Sequence, residues 1–333
     1  DPESPINHGS FAPIDVIVPE GCFLNARSPA PCGGMAEVKF LLDSTVAAAF
    51  GQIIPEMMTG DARCSANHTY ISGPFPEIDG IYLLYEYPAG GTGAINGRDG
   101  HNGIRVYTEG DFNAIHSSEI VESQNPLRVE RCEIREGSCG DGQWRGGFGI
   151  RRDIRLFNDE STLSVLADKN IIPPYSVKGA RNPAANRFVA LRNGEIVEPS
   201  PIPGKVTGFP MGAGDIVRME TSGGGGYGDP LMRDPEAVRR DVKDETLTLE
   251  QADRRFGVVL DASGEVDSEA TARRREALTS SRVMLTIETS DRDMFEGAKR
   301  LFAISSEAAE RLGIRDGDMI EATTGSGANV RGW

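Results

Sequence analysis

The sequence predicts an α+β fold that is rich in β-strands. Short segments of β-branched and aromatic residues, bounded by Gly, Pro, Asn or Asp, recur through the first 230 positions; this is the pattern of strands joined by turns. Helical signals are concentrated instead in residues 234–278. A hydrophobic content of 38% in 333 residues is enough for a core. We therefore expect a β-rich core at 1–232, a helical segment at 233–279 and a small C-terminal β module at 280–333.

Strands dominate the first part of the chain. A hairpin is predicted at Asn193-Gly194, because an Asn-Gly pair between strand-like flanks is the strongest short hairpin signal. The one helix expected here is residues 45–50, which Asp43 or Ser44 can cap. The predicted strands are 14–18, 81–87, 128–135, 148–157, 188–191 and 216–220.

Three helices are predicted in the segment that follows. Pro235 stands at a first helical position, where its missing N–H does no harm. Residues 248–251 have the form of a capping box, and Gly257 can end that helix in the left-handed conformation. Asp267 opens a third helix, 269–278, whose arginines we interpret as a solvated face.

The last segment combines strand and helix signals. Residues 283–287 read as a strand, and 306–312 as a short helix with Ser305 as its cap and Gly313 as its end. The chain then turns back into a strand over 314–320. We interpret this module as a packing or assembly appendage and not as a cofactor site.

Charge and composition exclude several classes of function. A net charge of −15 with no dense Lys/Arg stripe argues against nonspecific nucleic-acid binding. No apolar run reaches the ~20 residues that span a bilayer, and no signal peptide is visible, so a cytoplasmic location is expected. The first residues lack a Met, which suggests a fragment. Five cysteines without a CxxC pair fit reduced, structural thiols.

Four consecutive glycines, residues 223–226, form the most informative stretch of the chain. Glycine accounts for 40 of 333 residues, well above its usual ~7% share. Four glycines cannot contribute side chains to a core, and they lose the most backbone entropy on folding. They mark either a sharp turn between a strand and a helix, or a loop that lies against a ligand or a partner subunit.

The best local candidate for chemistry is the segment that contains Arg98, Asp99 and His101. It places a guanidinium, a carboxylate and an imidazole between glycines, so the three groups could converge on one small cavity. An ordinary polar turn is the competing interpretation. His116 and His68 are further candidates, because imidazole shuttles protons and ligates metals near neutral pH. Asp99, His101 and His116 could form a three-ligand metal site if the fold brings them together; no spacing requires it.

Several segments, taken together, resemble the hydantoinase B/oxoprolinase family, which includes the large subunits of acetone and acetophenone carboxylases. The resemblance covers approximately residues 5 to 262. The segments that carry it are 18–25, 49–52, 97–100, 126–131, 142–149, the glycine run with its flanks at 214–230, and 254–260.

This resemblance implies a role in a hetero-oligomer. The family works with a hydantoinase A-like ATPase subunit that holds ATP and Mg²⁺, and the B-like subunit carries the site where the activated carbonyl compound reacts. The absence of a phosphate-binding loop here agrees with a nucleotide site on another polypeptide. The first hypothesis is ATP-dependent hydrolysis of a cyclic amide such as a hydantoin or 5-oxoproline. The alternatives are ATP-dependent carboxylation of a ketone with bicarbonate, or a non-catalytic part in assembly.

Two departures from the family pattern concern the site. The family's metal-ligand motif, an Asp-Pro-Tyr run followed by Gly-Gly-Thr-His, is missing, so the chain resembles the C-terminal half of a B-type subunit. A divalent metal, Zn or Mn, is then expected to be ligated outside this chain. Asn67-His68 stands where many hydantoinases are expected to have two successive Asn, so the wall of the substrate site is expected to differ.

Overall fold

The structure is a computed structural model that describes residues 7, 9, 12, 14–104, 115–286, 295, 296, 299–318, 320–324 and 329–332. The chain divides into two compact units, Asp1–Met35 and Ala36–Trp333. The boundaries predicted after residues 232 and 279 stay predictions. Among the described residues, no helix is long and apolar enough to cross a membrane.

Most of the longer strands follow one another in the middle of the chain, and three helices come directly after them. The helices are α1 Met35–Gly51, α2 Ser118–Gln124, α3 Pro235–Lys243, α4 Leu249–Phe256, α5 Ser268–Ser280 and α6 Ser306–Leu312. The longer strands are β1 His68–Pro74, β2 Ile81–Glu86, β3 Leu127–Ile134, β4 Ile150–Leu156, β5 Ser161–Leu166, β6 Arg187–Arg192, β7 Glu195–Val197, β8 Lys205–Met211 and β9 Ile216–Glu220. Four short strands follow, β10 Phe295–Glu296, β11 Lys299–Arg300, β12 Ile320–Thr323 and β13 Asn329–Gly332.

Two antiparallel sheets form the centre of this unit, and the predicted α+β class is confirmed. One sheet has the strand order β2-β1-β5-β8 and the other β3-β4-β9-β6-β7. A single buried cluster takes Ile71 and Leu163 from the first sheet and Ile154 and Val217 from the second. Burial alternates along β5, as expected for a strand with one face on a core. The sheets therefore pack face to face across this core.

Local signals at turns and helix ends were sufficient to predict several features that the structure confirms. Asn193 and Gly194, with φ of 53° and 82°, connect β6 to β7 as a tight hairpin. The Thr248 hydroxyl and the Gln251 side chain make both bonds of a capping box, and Gly257 ends α4 with φ of 62°.

The glycine run lies inside the chain's own backbone. Residues 223–226 are buried. The Gly224 N–H donates to the carbonyl of Gly147 at 2.9 Å, and the Gly225 N–H donates to that of Asp61 at 2.7 Å. A Cβ on Gly224 would stand 1.9 Å from the Thr92 carbonyl oxygen. The run is thus neither a sharp turn nor a loop against a ligand; it is where backbone segments approach too closely for side chains.

Two predicted strands are wrong over the described residues. Residues 14–18 take no regular structure and are exposed. In the described part of the chain no strand pairs with them, and the contact at Val18 is a side-chain bond, which Asn25 donates to the Val18 carbonyl at 3.0 Å. Residues 283–286 are also irregular, and Ile287 lies outside the described residues. Hydrophobic residues in a short run do not make a strand without a hydrogen-bonding neighbour.

The first helix is longer than predicted. It begins at Met35 and not near residue 45. Asp43 pairs with Lys39 one turn earlier at 2.8 Å, and the Ser44 hydroxyl donates to Asp61 at 2.9 Å, so neither caps a helix. Residues 35–42 are mostly strong helix formers, which explains the extension.

Candidate functional site

The Arg98–His101 segment is held in place mainly by Asp99. Its carboxylate accepts bonds from both terminal nitrogens of Arg233, each at 2.8 Å, and from the Arg145 backbone N–H at 2.9 Å. Arg233 is 2% exposed and also pairs with Asp241 at 2.9 Å. Asp99 therefore joins this loop to the start of the helical segment.

The other two groups of that segment face solvent. His101 and Arg98 are exposed. His101 takes part through its backbone, because its N–H donates to the Thr92 hydroxyl at 2.8 Å and its carbonyl accepts from the Thr92 N–H at 3.0 Å. The structure thus directs the Asp99 carboxylate to Arg233, away from a cavity shared with the other two groups.

His116 lies at a separate place, just before α2. Its Nδ1 is 3.8 Å from an oxygen of the buried Glu86, and its carbonyl accepts from Arg152 at 2.9 Å. Arg152 and Glu86 form a buried ion pair at 3.1 Å. In the described part of the chain no group of three or more His, Cys, Asp or Glu side chains could hold a metal ion. The three-ligand site considered for Asp99, His101 and His116 is therefore not formed.

His68, the first residue of β1, lies among charged and aromatic groups. Its Nδ1 is hydrogen-bonded to the hydroxyl of Tyr85 on the neighbouring strand β2. Its Nε2 is 3.9 Å from Oε1 of Glu37. The imidazole stacks on the rings of Tyr70 and Tyr85 at 6.4 and 5.7 Å and meets the edge of Tyr87 at 5.1 Å. Antiparallel pairing of β1 with β2 creates this arrangement, since Tyr70 and Tyr85 are directly opposite.

Glu37, in the first turn of α1, is the residue that sequence reasoning missed. It is buried, and its Oε1 accepts from the backbone N–H groups of Ala66 and Asn67 at 2.8 and 3.2 Å. Burial raises the pKa of Glu37 from its ordinary 4.5 to about 7, and the nearby Asp168 adds to the rise. A single acidic residue among apolar ones in the sequence was the available signal, and it was weak.

Glu37, His68 and Tyr85 define the candidate functional site. A carboxyl group that titrates near neutral pH can act as a general acid or a general base. The imidazole links it to a phenol at the protein surface. Perturbed titration of a buried group next to a proton carrier is typical of functional sites. This site contains one predicted residue, His68.

The cysteines offer no competing nucleophile in the interior. All five are free thiols. Burial raises the pKa of Cys139 to about 12 and that of Cys64 well above its ordinary value. Both remain protonated near neutral pH, and the thiol is a far weaker nucleophile than the thiolate.

The titration of Glu37 predicts a pH dependence of stability. The folded protein holds the Glu37 proton up to about pH 7, whereas the unfolded chain releases it near 4.5. Stability should therefore fall as pH rises from 4.5 to 7, because the folded state binds more protons in that window. The free energy of unfolding falls by ~3 kcal/mol at most, because a pKa difference of one unit corresponds to ~1.4 kcal/mol. Glu37→Gln should lack the part of this fall that Glu37 contributes, as measured by denaturant unfolding across that range. Asp141, whose pKa burial raises to about 6, contributes equally to both proteins.

Glu119 supplies the control for this measurement. It is an exposed glutamate in the first turn of α2, so Glu119→Gln should follow the wild-type curve. If the free energies of unfolding of wild type and Glu37→Gln changed in parallel between pH 4.5 and 7.5, the raised pKa of Glu37 would be contradicted.

Sequence comparison finds relatives over most of the chain. A family model described as hydantoinase B/oxoprolinase matches residues 1–230. An uncharacterised protein of Methanocaldococcus jannaschii is 32% identical over 279 residues, which cover 83% of this chain and 47% of that protein. The caprolactamase subunit beta of Pseudomonas jessenii is 28% identical over 284 residues, which cover 82% of this chain and 48% of the subunit.

Two solved structures share the fold. The crystal structure of the ATP-dependent caprolactamase from Pseudomonas jessenii aligns with a TM-score of 0.68 and 25% identity, over 78% of this chain and 46% of that chain. The nucleotide-free structure of acetone carboxylase, from work on ATP-dependent acetone carboxylation, aligns with a TM-score of 0.59 and 23% identity, over 69% of this chain and 35% of that chain. The similarity to acetone carboxylase, at 23% identity, shows a shared fold and nothing more. This chain spans about half the length, or less, of these proteins.

Proposed function

Because this chain belongs to the hydantoinase B/oxoprolinase family, we propose that it is part of a subunit that hydrolyses a cyclic amide after ATP-driven activation. The family match and the caprolactamase relative support this, since caprolactam is a cyclic amide. ATP cleavage would activate the amide oxygen, which makes the carbonyl carbon a better electrophile. Water then opens the ring.

The observation that carries the proposal is the Glu37–His68–Tyr85 site. Ring opening needs a base to take a proton from water and an acid to protonate the departing nitrogen. Glu37, with a pKa of about 7 beside His68, suits proton transfer in either direction near neutral pH. The site lies at one end of the β1–β2 pair, where Tyr85 is open to solvent.

The proposal includes a partner. A hydantoinase A-like ATPase subunit would bind ATP and Mg²⁺ and complete a hetero-oligomer with this subunit. The relative named as a subunit beta supports a multi-subunit enzyme. A Zn or Mn ion would be held by ligands outside this chain, and no step assigned here to Glu37, His68 or Tyr85 passes through it.

Ketone carboxylation is the second candidate function. It stays a candidate because the family that the sequence resembles includes ketone carboxylase subunits, and it would use ATP to activate both the ketone and bicarbonate. A purely structural part in assembly is the third. Neither of these alternatives requires a proton donor at Tyr85.

One experiment separates the candidates. The native complex with its ATPase partner is supplied with ATP, Mg²⁺ and ¹³C-bicarbonate, together with a panel of cyclic amides and ketones, and products are followed by mass spectrometry. We expect ATP-dependent ring opening of an amide without label uptake. Label in a new carboxylate, dependent on a ketone, would replace the proposal with carboxylation. A sample without ATP is the control.

A further inference from the structure

We propose that Tyr85 donates the proton that the ring nitrogen takes up when the amide bond breaks, and that His68 and Glu37 resupply this proton from the interior. This inference rests on the proposed amide hydrolysis. It assigns a catalytic role to Tyr85 and positioning and relay roles to His68 and Glu37.

The first support is the order of contacts. The Tyr85 hydroxyl meets Nδ1 of His68, and Nε2, on the other side of the same ring, is 3.9 Å from the Glu37 carboxyl. The contact with Tyr85 is a hydrogen bond, whereas 3.9 Å is too long for one, so proton transfer between Nε2 and Glu37 requires one bridging water or a small shift of the ring. With that step, a proton can enter the imidazole at one nitrogen and leave at the other. The two nitrogens point to different partners, which is the geometry that a relay needs.

The second support is a gradient of exposure. Tyr85 is 39% exposed, whereas the side chains of His68 and Glu37 are 15% and 5% exposed. Among these three groups, Tyr85 is the one with substantial access for a small molecule. The buried carboxyl is protected from direct exchange with bulk water and depends on the imidazole for contact with the surface.

The third support is that the imidazole is held in one orientation. Stacked rings of Tyr70 and Tyr85 and the edge of Tyr87 surround it. Tyr70 and Tyr85 also stack on each other with ring centroids 4.7 Å apart. Such aromatic pairs contribute ~0.5–1.5 kcal/mol to stability beyond the burial of their surface. They therefore favour one orientation of the His68 ring, with Nδ1 towards Tyr85 and Nε2 towards Glu37.

The charges around Glu37 allow it to give and retake a proton. Oε1 accepts two backbone N–H bonds, which favour the carboxylate. Burial and Asp168 favour the neutral acid, and Lys205, which pairs with Asp168 at 2.9 Å, opposes them. The balance keeps both forms present near neutral pH.

The proton transfers balance as follows. Water adds to the activated carbonyl carbon, and the C–N bond breaks with its electron pair moving to nitrogen. Nitrogen takes the hydroxyl proton of Tyr85, whose oxygen takes the proton on Nδ1 of His68. Nε2 then takes the carboxyl proton of Glu37. The proton released by water returns by the reverse path before the next turnover. It passes through the Tyr85 hydroxyl to Nδ1 of His68, and the proton on Nε2 passes back to the Glu37 carboxylate, which restores the starting state of all three groups.

The test compares two tyrosines in the native complex. Tyr85→Phe removes the hydroxyl that meets His68; Tyr70→Phe removes the hydroxyl of a neighbouring ring with nearly equal exposure, 36%. Loss of a general acid lowers turnover ~100-fold or more, so Tyr85→Phe should lower kcat by that factor with KM unchanged. Tyr70→Phe, which keeps the ring that stacks on His68, should lower kcat far less than Tyr85→Phe, and assembly with the ATPase partner should be intact in both.

The pH profile separates a relay from a structural effect. Wild type should show a titration in kcat near pH 7 that Glu37→Gln removes, and His68→Asn should lower kcat about as much as Tyr85→Phe. If wild type opens the ring and Tyr85→Phe does so equally fast, the relay is overturned and the proposed function stands. If the wild-type complex opens no cyclic amide, both the proton relay and the proposed function are wrong.

Discussion

Gly224→Ala is expected to prevent the chain from folding, or to lower its free energy of unfolding by more than ~3 kcal/mol, beyond the usual range of overpacking. The new Cβ would lie 1.9 Å from the carbonyl oxygen of Thr92 and 2.1 Å from its carbonyl carbon. Both are backbone atoms, and neither can swing away as a flexible side chain would. Denaturant unfolding followed by circular dichroism measures the effect.

The clash cannot be relieved from the other side. The Gly224 N–H donates to Gly147 at 2.9 Å, and the Gly224 carbonyl accepts from Gly140 at 2.8 Å. Moving residue 224 away from Thr92 would break these bonds in a buried layer, where an unpaired polar group costs ~1–3 kcal/mol.

Gly33 provides the matched control. Its Cβ would meet nothing within 4 Å, and its backbone is outside the left-handed region. Gly33→Ala should therefore stay within ~0.5 kcal/mol of wild type. A Gly224→Ala protein with the wild-type unfolding midpoint would show that the backbone around residues 223–226 is loosely packed. The glycine run would then again be interpreted as a turn or as a loop against a ligand.

The glycine run also shows what the sequence could and could not predict. The four glycines indicate a close approach of the backbone at residues 223–226. They do not identify the neighbouring segments, because these contain Thr92, Gly147 and Asp61, which are distant in sequence. Helix ends at Asp234, Thr248 and Gly257 were predictable because each signal lies within a few residues of the structure it forms.

The missed parts of the fold and of the site have the same cause. β1, β5 and β8 contain Ser, Thr, Gly and Pro, so their residues alone do not predict strands; pairing with neighbours makes them strands. Glu37 and His68 meet because α1 returns to the start of β1, a contact that no spacing encodes. His68 was a candidate by residue type, whereas Glu37 needed the burial that only the fold supplies.

Arg233→Met is expected to lower the free energy of unfolding by ~3–5 kcal/mol, the usual cost of breaking a buried ion pair from one side. The substitution keeps an unbranched side chain but removes the charge between Asp99 and Asp241. Both carboxylates then stay near each other in a largely buried place. Arg145, at 3.0 Å from Asp241, compensates only one of them.

Arg239 is the control on the adjoining helix. It pairs with Glu236 at 2.7 Å and with Glu265 at 3.5 Å, and both partners are exposed, so Arg239→Met should cost no more than ~1 kcal/mol. Adding Asp99→Asn to Arg233→Met should recover part of the loss, because one unpaired charge is removed. Equal losses for the two arginine variants, or no recovery in the double variant, would contradict the view that Arg233 stabilises the protein by pairing with the two carboxylates. Recovery would establish that Asp99, first singled out for chemistry, joins its loop to the helical segment.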